Sequence, residues 1–70
     1  MNYSIYKEEF LNLDVNGKAV VRAELLIASA EALPAYNAIP GRILAEGSVA
    51  VLLSTGALYM LDFDNTWKAW

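Results

Sequence analysis

The chain has 70 residues, 57% of them apolar and 19% charged, with a formal net charge of −3 and neither cysteine nor histidine. These totals exclude a disulfide framework and a zinc-type ligand set, two of the staples that usually hold so small a chain together. The five basic residues, Lys7, Lys18, Arg22, Arg42 and Lys68, are scattered and form no stripe to neutralise phosphates, which argues against a nucleic-acid partner.

One small domain, residues 1–70, is expected. A chain of this length buries only about 60% of the surface it exposes when unfolded. Its apolar content exceeds the usual range of about 45–50%, so part of the excess has to lie on the surface. Contiguous exposed apolar patches mark interaction surfaces, and self-association is the economical use for this one. The longest unbroken apolar run, residues 49–53, is far short of the ~20 needed to span a membrane. Lys7, Glu8 and Glu9 follow the first six residues directly, which is not the layout of a signal peptide, so synthesis in the cytoplasm is expected.

Residues 3–28 read as an N-terminal hairpin. Asp14-Val15-Asn16-Gly17 is a turn signal, with Gly17 free to adopt positive φ, and strand-like runs flank it at 5–13 and 18–27. A four-residue loop pairs Leu13 with Lys18, Leu11 with Val20, Glu9 with Arg22 and Lys7 with Glu24. It also sets Tyr6 against Leu25 and Phe10 against Val21 on the face expected to pack. A two-residue loop would oppose Glu9 and Glu24, a like-charge clash. The Ala- and Leu-rich stretch 23–33 could suit a partner helix, but Val20, Val21 and Ile27 favour strand up to about Ala28.

Residues 29–46 read as a helical turn followed by a loop. Ser29 suits an N-cap for Ala30-Glu31-Ala32-Leu33, with Glu31 placed well in the first turn. Pro34 ends or bends the turn, and Pro40-Gly41 marks another.

Residues 47–70 read as a three-stranded antiparallel meander. Val49 to Leu53 and Ala57 to Leu61 flank Ser54-Thr55-Gly56, a three-residue loop with Gly56 left-handed, pairing Leu52 with Leu58 and Val51 with Tyr59. A turn at Phe63-Asp64-Asn65-Thr66 then returns residues 67–70 as a short third strand. Both faces of strand 49–53 are apolar, which calls for cover on both sides.

No catalytic constellation is legible. Ser4, Ser29, Ser48, Ser54, Thr55 and Thr66 have no histidine to activate them, and cap or turn roles account for Ser29, Ser54, Thr55 and Thr66. Glu8 and Glu9 point to opposite faces of a strand. Asp62 and Asp64 could share a face, but they sit in a turn that favours such residues. The run Asp62-Phe63-Asp64-Asn65 alternates oxygen ligands as calcium loops do, without their glycine and distal glutamate. Tyr59, Trp67 and Trp70 could form a sugar-stacking platform, although core and interface packing uses the same residue types. No enzyme activity, cofactor or metal is therefore expected. The residues expected to pack or form an interface are Leu52, Leu58, Tyr59, Trp67 and Trp70.

Gly47-Ser48-Val49-Ala50, the stretch from Ser54 to Asp62 and the closing Trp67 together resemble a recurrent C-terminal hairpin of small phage and prophage particle proteins, of the head-fibre or minor structural type. Ala32-Leu33-Pro34 upstream and the N-terminal hairpin with its Asp-x-Asn-Gly turn fit the same layout. The resemblance covers residues 29–70 by motif and the N-terminal third by pattern. It implies a virion structural protein made in the host cytoplasm, acting as a dimer or trimer of itself and docking on other virion proteins. The longer receptor-binding part that such proteins often carry has no counterpart here, which favours a compact attachment or decoration unit. The expected fold is α+β and mostly β: hairpin, short helical turn, meander.

Overall fold

The computed structural model describes residues 2–70. Its elements are strands β1 (Tyr3–Leu13) and β2 (Ala19–Ile27), a 3₁₀ turn (Ala30–Ala32), and strands β3 (Arg42–Leu44), β4 (Val49–Leu52), β5 (Ala57–Leu61) and β6 (Trp67–Ala69). All six strands join one sheet in the order β1-β2-β4-β5-β6, with β3 also pairing to β2. The protein is mostly β, and the sheet is mixed.

The N-terminal hairpin keeps the expected register only at its middle, where Lys7 faces Glu24, Glu9 faces Arg22 and Phe10 faces Val21. Toward the turn, one Asp14 carboxylate oxygen accepts from the backbone N–H of both Asn16 and Lys18, each at 2.8 Å. That draws Lys18 into the loop, so Leu13 pairs with Ala19 and Val20 with Asn12, not with Leu11. Register shifts between Phe10 and Asn12 and between Ile5 and Lys7 each add one residue to β1. The second shift sets Ile5, not Tyr6, opposite Leu25. Tyr6 and Phe10, expected on the packing face, are 63% and 61% exposed. The covering layer reaches Tyr3 and Ile5 but leaves the distal half of β1 open.

What joins the two halves is parallel pairing, which local turn signals do not reveal. On the side away from β1, β2 pairs in parallel first with β3, along Ala19 to Val21, and then with β4, along Glu24 to Ile27. Strand β3 falls inside the stretch expected to be loop. Between the two ladders β2 would lose a partner, and two hydrogen bonds close the gap. The Ala45 N–H donates to the Val21 carbonyl at 2.8 Å, and the buried Ser48 hydroxyl accepts the Ala23 N–H at 3.1 Å.

The C-terminal hairpin has a four-residue loop, not three. The Leu52 carbonyl accepts from the N–H groups of Thr55 (3.2 Å) and Gly56 (2.7 Å), and Gly56 is left-handed at φ +76°. Leu53 leaves the strand, so Leu52 pairs with Ala57, Val51 with Leu58 and Ala50 with Tyr59. A one-residue slip exchanges the faces of a strand. Tyr59 therefore shares a face with Ala50 and Leu52, and Leu58 turns to the opposite side. Strand β6 returns after a turn in which Asn65 has φ 66°, and Trp67 pairs with Leu61.

The core lies on one face. Alternate β2 residues Val21, Ala23, Leu25 and Ile27 pack with Ala50 and Leu61 beneath Ile39 and Leu44, and Ala32, Leu33 and Tyr36 add partial cover. Ser29 precedes the 3₁₀ turn with extended backbone but makes no side-chain cap bond. The turn's register is held from a distance. Trp67 Nε1 donates to the Pro34 carbonyl at 2.7 Å, tying the covering segment to β6. Trp67→Phe keeps an aromatic ring and removes that donor. It is expected to lower stability by about 1 kcal/mol, read from the urea midpoint at unchanged m-value.

Candidate interaction surface

Among the described residues, no such layer covers the opposite face of the sheet. Pairing places Leu26 of β2, Val49 and Val51 of β4, and Leu58 and Met60 of β5 together on it. None of these side chains is buried, and Leu58 is 38% exposed. A strand that is apolar on both faces has one face in the core and one facing solvent.

The five residues expected to pack or form an interface divide between the two faces. Leu52, Tyr59 and Trp67 are partly buried against the core. Leu58 belongs to the outer face. Trp70 is 80% exposed, and its N–H donates to the Leu58 carbonyl at 2.9 Å, which carries the chain one residue past β6. The three-aromatic platform of Tyr59, Trp67 and Trp70 is therefore not formed, because β-strand alternation sends Trp70 away from the other two.

A different aromatic pair does converge. Phe63, 84% exposed in the turn before β6, and Trp70 flank an open cleft of about 500 Å³ with Met60 among its lining. Sequence reasoning treated Phe63 as a turn residue only; its one signal was a large aromatic in a polar turn. The charged groups on the rim are internally matched. Arg22 bonds the Glu46 carboxylate at 3.1 Å and the Glu46 carbonyl at 2.9 Å, and lies 3.4 Å from Glu9. Its side chain fills the space beside Gly47, where φ is +87° and an added Cβ would lie 3.1 Å from Arg22 Nε. Lys68 bonds Asp64 at 3.0 Å and approaches Asp62 at 4.0 Å.

The Asp62 and Asp64 carboxylates serve the turn. Asp62 accepts from the Phe63 N–H, and Asp64 from both the N–H and the hydroxyl of Thr66. The Thr66 hydroxyl first, then Lys68, hold the Asp64 carboxyl down from an ordinary 3.8 to about 2. A depressed carboxylate stabilises the fold above its unfolded pKa and loses that contribution as pH falls through the folded one. Acid melting curves of Asp64→Asn are accordingly expected to be flatter than those of the parent between pH 3.8 and about 2, with a slightly lower Tm at pH 6. Equal slopes in parent and variant would contradict this.

On the core-face side of the distal hairpin, Arg42 forms a two-pronged pair with Glu8, at 2.6 and 3.0 Å. This bond lowers the Glu8 pKa and raises that of Arg42. It ties β1 to β3 across β2. Among the described residues, no three or more His, Cys, Asp or Glu converge as a metal centre would, and no helix is long and apolar enough to cross a membrane. No protein-family model, curated protein or solved structure matches this chain.

Proposed function

We propose that this protein is a structural component of a phage particle, a head-fibre, decoration or attachment unit that works by assembling with itself and docking on other virion proteins. In this reading the N-terminal hairpin, the helical turn and the C-terminal meander form one compact building block. The observation that carries the reading is the uncovered outer face, Leu26, Val49, Val51, Leu58 and Met60, on a chain with so little interior. Apolar surface of this continuity gains free energy when a partner removes it from water. Arg22, Arg42 and Lys68 are engaged in ion pairs that brace strands and turns, which suits a scaffold role. A net charge of −3 with scattered basic groups suits a position away from the genome.

Light scattering across a concentration series is the first test. A stable dimer or trimer at micromolar concentration supports the reading, and a chain that stays monomeric throughout overturns its self-association half. Particles purified from the encoding strain test the other half, by mass spectrometry for this chain; its absence from them removes the virion assignment.

The cleft between Phe63 and Trp70 favours one alternative, a binding module for carbohydrate or for an aromatic-seeking peptide. Exposed aromatic walls can stack on a flat ligand face. Quenching of tryptophan fluorescence by members of a glycan panel, lost in Trp70→Ala, would favour this alternative. No response across the panel would set it aside.

A further inference from the structure

Strand β1 is the longest strand, 11 residues, and it forms one edge of the sheet. Every residue from Tyr6 to Leu13 is exposed, and four of them are large and apolar: Tyr6, Phe10, Leu11 and Leu13. Free edges are templates for further pairing, and proteins that must stay monomeric shorten or block them. Two bulges and Lys7 are present here, so a blocked edge is the competing explanation.

The sequence of β1 decides between them. We propose that two copies of this chain pair antiparallel through their β1 edges, in the register that sets Glu8 opposite Glu8 of the second copy. This rests on the self-association half of the proposed function and names its contact. In that register Lys7 faces Glu9 of the second copy, twice by symmetry, and Tyr6 faces Phe10 twice. Ile5 then faces Leu11, and Tyr3 faces Leu13. Opposite charges and aromatic or aliphatic pairs are the combinations that stabilise cross-strand neighbours. Shifting the register by two residues either way opposes Lys7 with Lys7 or Glu9 with Glu9. A shift by one would put the core layers of the two copies on opposite sides of the joint sheet.

The central Glu8 pair is the apparent flaw, and the structure removes it. Arg42 lies on β3, across β2 from the free edge, so its two-pronged bond turns each Glu8 inward and neutralises it. The faces also agree wherever the β1–β2 ladder gives them, Tyr6 and Leu11 being the two bulge residues without a β2 partner. Tyr3, Ile5, Glu8, Phe10 and Leu13 are register partners of core-facing β2 residues or of Ala19, while Lys7 and Glu9 partner Glu24 and Arg22. Two copies joined this way form a continuous twelve-stranded sheet, twice the six strands of one chain. Both uncovered faces then lie on the same side of it, doubling the surface available for docking. The interface is isologous, as twofold dimers require.

The chain has no cysteine, so single introduced thiols report proximity cleanly. Directly opposed residues in an antiparallel pair have Cα atoms about 4.5–5.5 Å apart, within disulfide reach. Position 7 of each copy would lie about 8 Å from position 7 of the other, beyond it. Oxidation of an equimolar mixture of Lys7→Cys and size-tagged Glu9→Cys chains is therefore expected to give the mixed disulfide dimer several times faster than either chain alone gives its own. Leu58→Cys, on the outer face, should remain reduced, and circular dichroism checks that each variant is folded.

A dimer by light scattering with no preference for the mixed product, or with Leu58→Cys linking fastest, overturns the edge register and leaves self-association standing. A trimeric mass does the same, because the pairing is twofold. A monomer with no crosslink overturns both.

Discussion

Leu25→Ala is expected to leave most of the protein unfolded at 25 °C. Leu25 is fully buried, at 0% exposure, at the centre of β2, between Ile5 of β1 and Ala50 of β4. Truncating a buried leucine costs about 2–5 kcal/mol, through lost transfer free energy and the cavity left behind. A single core in a chain below about 70–80 residues rarely supplies more than about 3–5 kcal/mol in total. The two figures are of equal size, so one substitution removes most of the margin. Urea unfolding followed by circular dichroism reads the effect, with Leu53→Ala as the comparison, since Leu53 is 64% exposed in the β4–β5 loop. Leu53→Ala should shift the midpoint little. Because association raises apparent stability by mass action, both variants are compared at several protein concentrations. A Leu25→Ala chain with a near-parental midpoint would mean that the core is not where stability resides.

Ser48→Ala has the next largest effect, about 1–3 kcal/mol destabilising. Ser48 is the one buried polar residue among those described, at 0% exposure. Its hydroxyl accepts the Ala23 N–H at 3.1 Å and donates to the Ala45 carbonyl at 2.8 Å. Ala23 lies where β2 passes from pairing with β3 to pairing with β4, so no strand partner takes that donor. Removing the hydroxyl leaves a buried N–H unsatisfied, and the penalty of that exceeds the net worth of an ordinary hydrogen bond. The Ala45 carbonyl suffers less, because it also accepts the Ser48 N–H at 3.2 Å. Ser54→Ala, in an exposed turn, is the matched control. Native-state hydrogen exchange adds a local readout: the Ala23 amide should lose protection in Ser48→Ala and keep it in Ser54→Ala. Equal midpoints for the two alanine variants would show that water reaches Ala23.

Local chemistry made the strands legible and left their connections obscure. Asp14 to Gly17 and Ser54 to Gly56 announce turns because Asp side chains cap backbone N–H groups and Gly accepts positive φ. The charge pairs of Glu9 with Arg22 and Lys7 with Glu24 located the middle of the first hairpin. The loop lengths were not legible. Asp14 takes Lys18 into its loop, and Leu53 leaves its strand, each through a single hydrogen-bonding choice worth little by itself. The first shift is reversed at the bulge between Phe10 and Asn12, whereas the second moves every pair of the β4–β5 hairpin by one residue. That is why Leu58 lies on the outer face and not opposite Leu52.

The candidate surface was half visible. An apolar strand such as 49–53 signals burial on both sides, but not which side its own chain covers. Phe63 and Trp70 line one cleft because the turn before β6 and the residue after it fall on one side, a relation no spacing rule encodes.

Composition, turn residues and alternation by themselves determined that this chain is mostly β, small in core, and richer in apolar groups than its interior can hold. These are properties of residue type and near neighbours, and local physics suffices for them. Tertiary structure alone decided the parallel joining of β2 to β3 and β4, the inward role of Ser48 and Trp67, and the face left open. Those depend on contacts between residues more than 20 positions apart, such as Ala23 with Ser48 and Pro34 with Trp67. Such contacts form only when the whole sheet closes over its single buried face.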